Sequence, residues 1–482
     1  MYKNPDSREG AGGSVVIDRT GAAVIAVLLL LAGGYLYFSE IALDCSGDGG
    51  CHPAPVLTRP INCNEWYAHQ PRSQLHCDRT RKNLSSVAMV GDAANYILSS
   101  RSGAEPQVSY VQDPEKTLAN PWDMEFLPGG DALITTQPGN LVRYNGSLQV
   151  VESLEPHFQK GGTFGLLGLA VHPDFEENRY IYLYYTTGFD TALNRYGSFH
   201  NQDNNFILNR VSRFRLTDDG LRNETVLLDD LPGSIYHAGG RLEFGPDGNL
   251  YVTTGDGDRF WAAANTSFLG GKILRINPDG TIPEDNPFAE SPVYAAGFKN
   301  PQGMAWQPST GAMFATEHGP WRHDEINRVQ AGGDYGWPVR KCTTDDMSDL
   351  RRILQEEYGQ NTSFEEGVRR LAGEIGYNGS LDRSRDGISP AWCAREWTLA
   401  PTAATFVDEP GHSWHGDLFV AGLRGKHLHR FDVSGGEVTG SEIFWITTDR
   451  DDLSQRLRDV EQYNGSLWVL GDYHGLAELS PS

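Results

Sequence analysis

Beyond residue 119 the chain alternates apolar and polar residues in short runs, and the runs recur as one phrase. Each copy opens with an apolar strand and turns at Pro-x-Gly or a similar sequence. A second strand then ends in Thr or an acid, and a third often carries Arg. The copies lie at 124–136 with 141–144, at 169–175 with 180–185 and 211–216, and at 242–254 with 272–276. Three more lie at 304–316 with 324–329, at 402–407 with 417–421 and 426–431, and at 460–470 with 476–479. Alternation of this length predicts strands, and the Gly, Pro and Asn breaks predict tight turns. One such meander cannot bury both its faces, whereas several packed radially can. The predicted architecture is an all-β, six-bladed β-propeller over 119–482.

Two stretches interrupt this pattern. Residues 339–398 read as an insertion, helical from Asp345 to Ala372, where carboxylates and arginines fall at helical spacing. Residues 39–118 read as an irregular lead-in, partly helical from Leu84 to Leu98, with four cysteines. Before it, residues 21–38 form an uncharged run long enough for a single transmembrane helix. Lys3, Arg8 and Arg19 precede the run, and Glu40, Asp44 and Asp48 follow it. That asymmetry predicts a cytoplasmic tail over 1–20 and an extracytoplasmic propeller. A cleaved signal peptide is the alternative, but no small-x-small cleavage site follows the run.

Composition fits export. Six cysteines and no metal-type CxxC spacing imply disulfides, with Cys45–Cys51, Cys63–Cys77 and Cys342–Cys393 the expected pairs. Seven N-x-S/T triplets, at Asn83, Asn145, Asn223, Asn265, Asn361, Asn378 and Asn464, are candidate glycan sites. The net charge of −23 argues against a nucleic-acid partner, because phosphate repels such a surface.

Against that acidity, a few loops stand out. His237 precedes a Gly pair that would let a ligand approach the backbone, so it is a candidate general base. The loop 316–325 is dense in oxygen donors and imidazoles, a composition that suits calcium. Arg456 and Arg458 alternate so that both guanidiniums face one way, and Arg424 and Lys299 flank other turns. Converging cations would suit a polyanionic ligand, although salt bridges to the chain's own acids are the plainer use of any one Arg.

Taken together the phrases resemble the soluble aldose sugar dehydrogenases, quinoproteins that use pyrroloquinoline quinone (PQQ) and calcium on a six-bladed propeller. The resemblance is carried by NPWDM at 120–124, GLLGLAVHPDF at 165–175, HAGGRL at 237–242 and GKILRINPDG at 271–280. It continues in NPQG at 300–303, TEHGP at 316–320, GGDYGWP at 332–338 and RLRDV at 456–460. It implies that His237 takes the proton of a sugar C1 hydroxyl while hydride passes to the quinone. It implies that Lys299, Asn300, Arg424, Arg456 and Arg458 lie against the cofactor. The carbonyls of Gly319 and Pro320 would hold the calcium at the quinone, and Glu325 with the Tyr335 carbonyl would match a structural calcium site. A quinone or cytochrome would accept the electrons. Three positions depart from the family pattern: Phe298 and Lys299 replace His-Arg, Thr163 replaces an acid or amide, and Tyr236 stands before His237. Relatives that resemble Hedgehog-interacting protein share the domain, so a non-catalytic propeller that binds a glycan or protein is the competing expectation.

Overall fold

The structure is a computed structural model. It describes residues 106–482 and short strands between residues 28 and 61. Excepted are 114, 157–162, 191–205, 235, 321–322, most of 339–386, 395–397, 447–455, 473–474 and 482. The chain divides into two compact units, Met1–Asp92 and Ala93–Ser482.

In the first unit Leu28–Ala32 pairs antiparallel with Tyr35–Ser39, which also pairs with Arg59–Ile61. The sequence predicts one membrane helix over 21–38, but the described part of that run is extended. Among the described residues no helix is long and apolar enough to cross a membrane. Gly33 and Gly34 interrupt the apolar run, and glycine weakens a helix. Residues 21–27 and the cysteines at 45, 51, 63 and 77 lie outside the described residues.

The second unit is a six-bladed propeller of four-stranded antiparallel blades. Blade one comprises Pro121–Phe126, Ala132–Thr136, Asn140–Tyr144 and Leu148–Ser153. Blade two comprises Leu166–Val171, Tyr180–Asp190, Phe206–Thr217 and Gly220–Gly233. Blade three comprises Gly239–Phe244, Leu250–Thr254, Lys272–Ile276 and Val293–Ala296. Blade four comprises Pro301–Trp306, Met313–Glu317, Glu325–Val329 and Trp392–Cys393. Blade five comprises Pro401–Phe406, Leu418–Gly422, His427–Ser434 and Glu437–Ile446. Blade six comprises Leu457–Tyr463, Ser466–Gly471, Gly475–Ser480 and, outermost, Gln107–Tyr110.

That last strand comes from the stretch assigned to the lead-in. It pairs with Gly475–Ser480 and so ties the start of the propeller to its end. The innermost strands touch in order around a ring, and that of blade six returns to that of blade one. An apolar cluster fills each of the six blade junctions among the described residues. At the junction of blades two and three, for example, Tyr184 and Val211 pack with Leu242, Val252 and Leu274. Every blade thus buries both faces, which is what the alternating pattern demands.

Each innermost strand shifts register near its beginning. Such a bulge re-aims the side chains beside it. In the channel Arg241 of blade three reaches Asp123 of blade one and, at 3.1 Å, Asp459 of blade six. Gly168 and Gly240 meet where any Cβ on Gly168 would overlap the Gly240 carbonyl, so blades two and three close tightly there. Cys342 and Cys393 form the expected disulfide, Cα atoms 5.7 Å apart, between the start of the insertion and the fourth strand of blade four. Within the insertion the described residues 354–355, 366–367 and 370 are helical, and Arg370 pairs with Glu366 one turn away.

Candidate active site

Antiparallel pairing puts the start of each first strand beside the end of the second: Gly239 with Thr254, Pro301 with Glu317, Pro401 with Gly422, Leu457 with Gly471. Residues just before first strands and just after second strands therefore gather at one end of the channel. His237, Lys299, Asn300, Arg456 and Arg458 arrive by the first route. Asp256, Asp258, His318, Gly319, Pro320, Arg424 and Asp472 arrive by the second.

His237 is the centre of this group. Its Nδ1 lies 2.8 Å from Asp256 Oδ1 and 3.1 Å from Asp258 Oδ1. Facing two carboxylate oxygens, Nδ1 carries the proton, which leaves Nε2 as the acceptor. Asp256 is itself held by the Trp337 indole N–H, 2.8 Å from Oδ2, and by the Asp258 amide, 2.9 Å from Oδ1. Burial pushes the Asp256 carboxyl up, but His237, Lys299 and Trp337 outweigh it and hold it below the usual carboxylate range. Gly255 lets the His237 loop pack this closely, because a Cβ there would overlap the His237 carbonyl. The result is an imidazole fixed in tautomer and orientation by a buried acid, the arrangement of a general base.

Lys299 Nζ stands 2.8 Å from His237 Nε2. Asn300 is buried; its Oδ1 accepts from the Gly239 amide at 3.0 Å, and its Nδ2 lies 3.4 Å from His318 Nδ1. Lys299, His237 and Arg424 lie near enough for their charges to act on the His318 ring. Burial first, then those charges, hold His318 well below the ordinary histidine range, so its ring is neutral. Its Nε2 is buried with no hydrogen-bond partner.

The remaining cations differ in setting. Arg458 is buried, lies over the Trp122 ring at 5.0 Å and pairs with Asp472 at 2.6 Å. Arg456 is 45% exposed and reaches the same Asp472 at 3.5 Å. Both guanidiniums thus do face one way. Arg424 is exposed.

The oxygen-rich loop is anchored by Asp324, whose Oδ1 accepts from the Gly319 amide at 2.9 Å and whose Oδ2 accepts from Ala400 and Thr398. Gly319 and Pro320 are half-buried, with carbonyl oxygens of the kind that calcium takes. Glu325 is buried at the far side of the same hairpin. Its oxygens accept from the Cys342 amide at 2.5 Å and from Asn327 at 3.2 Å, and it pairs across the strands with Glu317. Tyr335 stacks on Phe298 with ring centres 4.5 Å apart, and its hydroxyl donates to the Arg328 carbonyl. His237, Lys299, Asn300 and Arg424 therefore converge; Glu325 and Tyr335 are tied into the surrounding framework.

The sequence does not mark Asp256, Asp258 and Trp337 as site residues, and it shows His318 only as one imidazole of the 316–325 loop. The signal for the two acids was the TTGDGDR run at 253–259, where the third phrase's second strand ends in acids.

A six-bladed propeller with a part-buried His237 held by the buried Asp256 and faced by Lys299 at one end of its channel is the frame of a dehydrogenase site. The chain belongs to the glucose/sorbosone dehydrogenase family: residues 118–366 and 373–477 match the family described as "Glucose / Sorbosone dehydrogenase". The aldose sugar dehydrogenase YliI of Escherichia coli strain K12 is 30% identical over 402 residues, 80% of this chain and 96% of that protein. Quinoprotein glucose dehydrogenase B of Acinetobacter calcoaceticus is 37% identical over 226 residues, 42% of this chain and 46% of that protein. The PQQ-bound aldose sugar dehydrogenase of Streptomyces coelicolor shares the fold with a TM-score of 0.58 at 26% identity, over 78% of this chain and 98% of that one. The chain is accordingly an oxidoreductase of the PQQ-dependent aldose dehydrogenase type.

Proposed function

We propose that the protein oxidises the C1 hydroxyl of an aldose sugar, or a related alcohol, with PQQ as the hydride acceptor and calcium as its partner. The observation that carries this reading is the buried Asp256–His237 pair, 2.8 Å apart, at the channel end where the cations gather. The group fits the residues present. A tricarboxylate needs cations, and Lys299, Arg424, Arg456 and Arg458 supply them with Asn300 beside them. The orphaned His318 Nε2 gives a buried polar atom that a ligand would satisfy. Bound there, PQQ supplies a two-electron acceptor and calcium polarises it.

The chain's own part is to bind, orient and hold the proton. His237 receives the hydroxyl proton, and Asp256 stabilises the imidazolium that forms. Arg456 and Arg458 exchange Asp472 for the ligand's carboxylates. The Gly319 and Pro320 carbonyls would hold a calcium that polarises the acceptor; Glu325 and the Tyr335 carbonyl, tied into the framework, would hold a structural one. Thr163 stands where the family pattern has an acid or amide and donates to the Ser234 carbonyl at 3.3 Å, so the sugar is recognised by other groups than an acid at that position. The same proposal places the propeller outside the membrane behind residues 21–38, with a quinone or cytochrome as electron acceptor.

His237→Ala tests the role of the base. Turnover of the PQQ-loaded protein should fall by roughly 10²–10⁴-fold with PQQ affinity little changed. Turnover within about twofold of wild type would remove His237 from the reaction.

A further inference from the structure

Lys299 is more than a cation in the ring. His237 has both ring nitrogens engaged: Nδ1–H is given to Asp256 and Asp258, and Nε2 meets Lys299 Nζ at 2.8 Å. A neutral imidazole has one lone pair to offer, and here an ammonium N–H points at it. We propose that Lys299 is the proton gate of the site: while it is an ammonium it caps His237 Nε2, and the base opens only when Lys299 gives up its proton or is drawn away. The capping stands on geometry alone; its consequence for turnover rests on the sugar-dehydrogenase reading.

Two features make Lys299 suited to this. It is 8% exposed, and among the described contacts its Nζ has a single hydrogen-bond partner for three N–H groups. Lys272 differs in its partners: also buried, and drawn down by burial to about 7, it donates to the carbonyls of Ala262, Ala263 and Gly270 and caps no imidazole. The charged groups that face Lys299 are Asp256 and Asp258 from blade three and Glu317 and Asp324 from blade four, with the His237 and His318 rings beside them. Burial is the largest influence and pulls Lys299 below the ordinary lysine range; the four acids oppose it without cancelling it. Arg, which the family pattern expects here, stays charged at every accessible pH and could not open in this way. Opening breaks one bond, N–H of the ammonium, and the proton leaves to solvent or to an arriving anion. The neutral amine is a much weaker donor than the ammonium, so the substrate hydroxyl can displace it from the Nε2 lone pair.

The test uses the cofactor-free protein and diethylpyrocarbonate, which acylates an unprotonated, uncapped imidazole. Modification of His237 is followed by peptide mass spectrometry in wild type, Lys299→Met and Lys299→Arg, each checked for native circular dichroism. At about pH 7 the Met variant should react about tenfold faster than wild type or more, the equivalent of one charge-assisted hydrogen bond. As pH rises toward the ordinary lysine range the wild-type rate should climb beyond that of a free imidazole control, while the Arg variant stays slow. Equal rates in all three proteins, or a wild-type rate that follows the control, would overturn the gate. The series needs no quinone, so it stands apart from whether the loaded protein oxidises sugar. In the loaded enzyme, the alkaline rise in kcat/KM should vanish in Lys299→Arg; a rise that persists there would equally refute the gate.

Discussion

Arg241 offers the sharpest test of how the channel is held. Its side chain is 3% exposed and binds two acids that are also buried, Asp123 at 1% and Asp459 at 0%. Asp123 accepts from the Leu169 amide of blade two, and both acids accept from the Met124 amide of blade one. One guanidinium therefore neutralises a junction shared by blades one, two, three and six. Burial, first among the causes, holds Asp123 and Asp459 above the usual carboxylate range, and Arg241 is the largest influence pulling them down. Arg241→Met keeps much of the volume and removes the charge. Breaking a buried pair from one side costs about 3–5 kcal/mol, because the partners stay buried and unpaired. The propeller spans residues 107–482, so its unfolding entropy is about 0.8 kcal/mol/K and the loss corresponds to a Tm lower by about 4–6 °C. Calorimetry at neutral pH measures it. Neutralising the acids as well, in Arg241→Met/Asp123→Asn/Asp459→Asn, should recover at least half of the loss. In the single variant the acids' folded values rise further above their unfolded ones, so its deficit should shrink as pH falls. A Tm change under about 1 °C, or no recovery in the triple variant, would refute the reasoning.

Other outcomes follow from individual groups. Burial lowers His427 to about 4 from an ordinary value near 6.5, so its contribution to stability is present above about pH 6.5 and is lost as pH falls toward 4. The loss is about 3 kcal/mol, and the Tm difference between wild type and His427→Gln measured across that range isolates it from the channel acids, which act in the opposite sense. Removing the disulfide in Cys342→Ser/Cys393→Ser should cost up to about 4 kcal/mol from the 51-residue separation, read from urea midpoints. Asp256→Asn leaves the His237 ring in place but removes the charge that stabilises its protonated form; kcat of the loaded protein should fall by about 10²-fold or more, with KM little changed. Chelating calcium from the loaded protein should abolish turnover and its return should restore it; activity that survives chelation would remove calcium from the proposal.

The blades were legible because the same phrase of short apolar runs, broken by Gly, Pro and Asn turns, recurs in each of them. The closing strand Gln107–Tyr110 was not, because a lone strand of exposed and half-buried residues carries no phrase, and its partner lies over 360 residues away. The fourth strand of blade four was hidden for a similar reason: it is reduced to Trp392–Cys393 beyond the insertion, although the cysteine pairing located its neighbourhood. At the site, His237 and Lys299 were visible through the glycines and the Asn-Pro-Gln-Gly run beside them. Asp256 and Trp337 were not, since each acts through another side chain and meets it only when loops apart in sequence converge. The expected common face of Arg456 and Arg458 is seen in their shared partner, yet burial divides them, which no alternation pattern could tell.

Reconstitution of the purified protein with PQQ and calcium tests the central claim most directly. Dye reduction is followed with a panel of aldoses and alcohols, and the quinone absorbance is followed on mixing. The account predicts a shift of the quinone band that saturates at one equivalent, and dye reduction with at least one aldose. No shift, and no reduction with any member of the panel, would contradict it and leave a propeller that binds rather than oxidises.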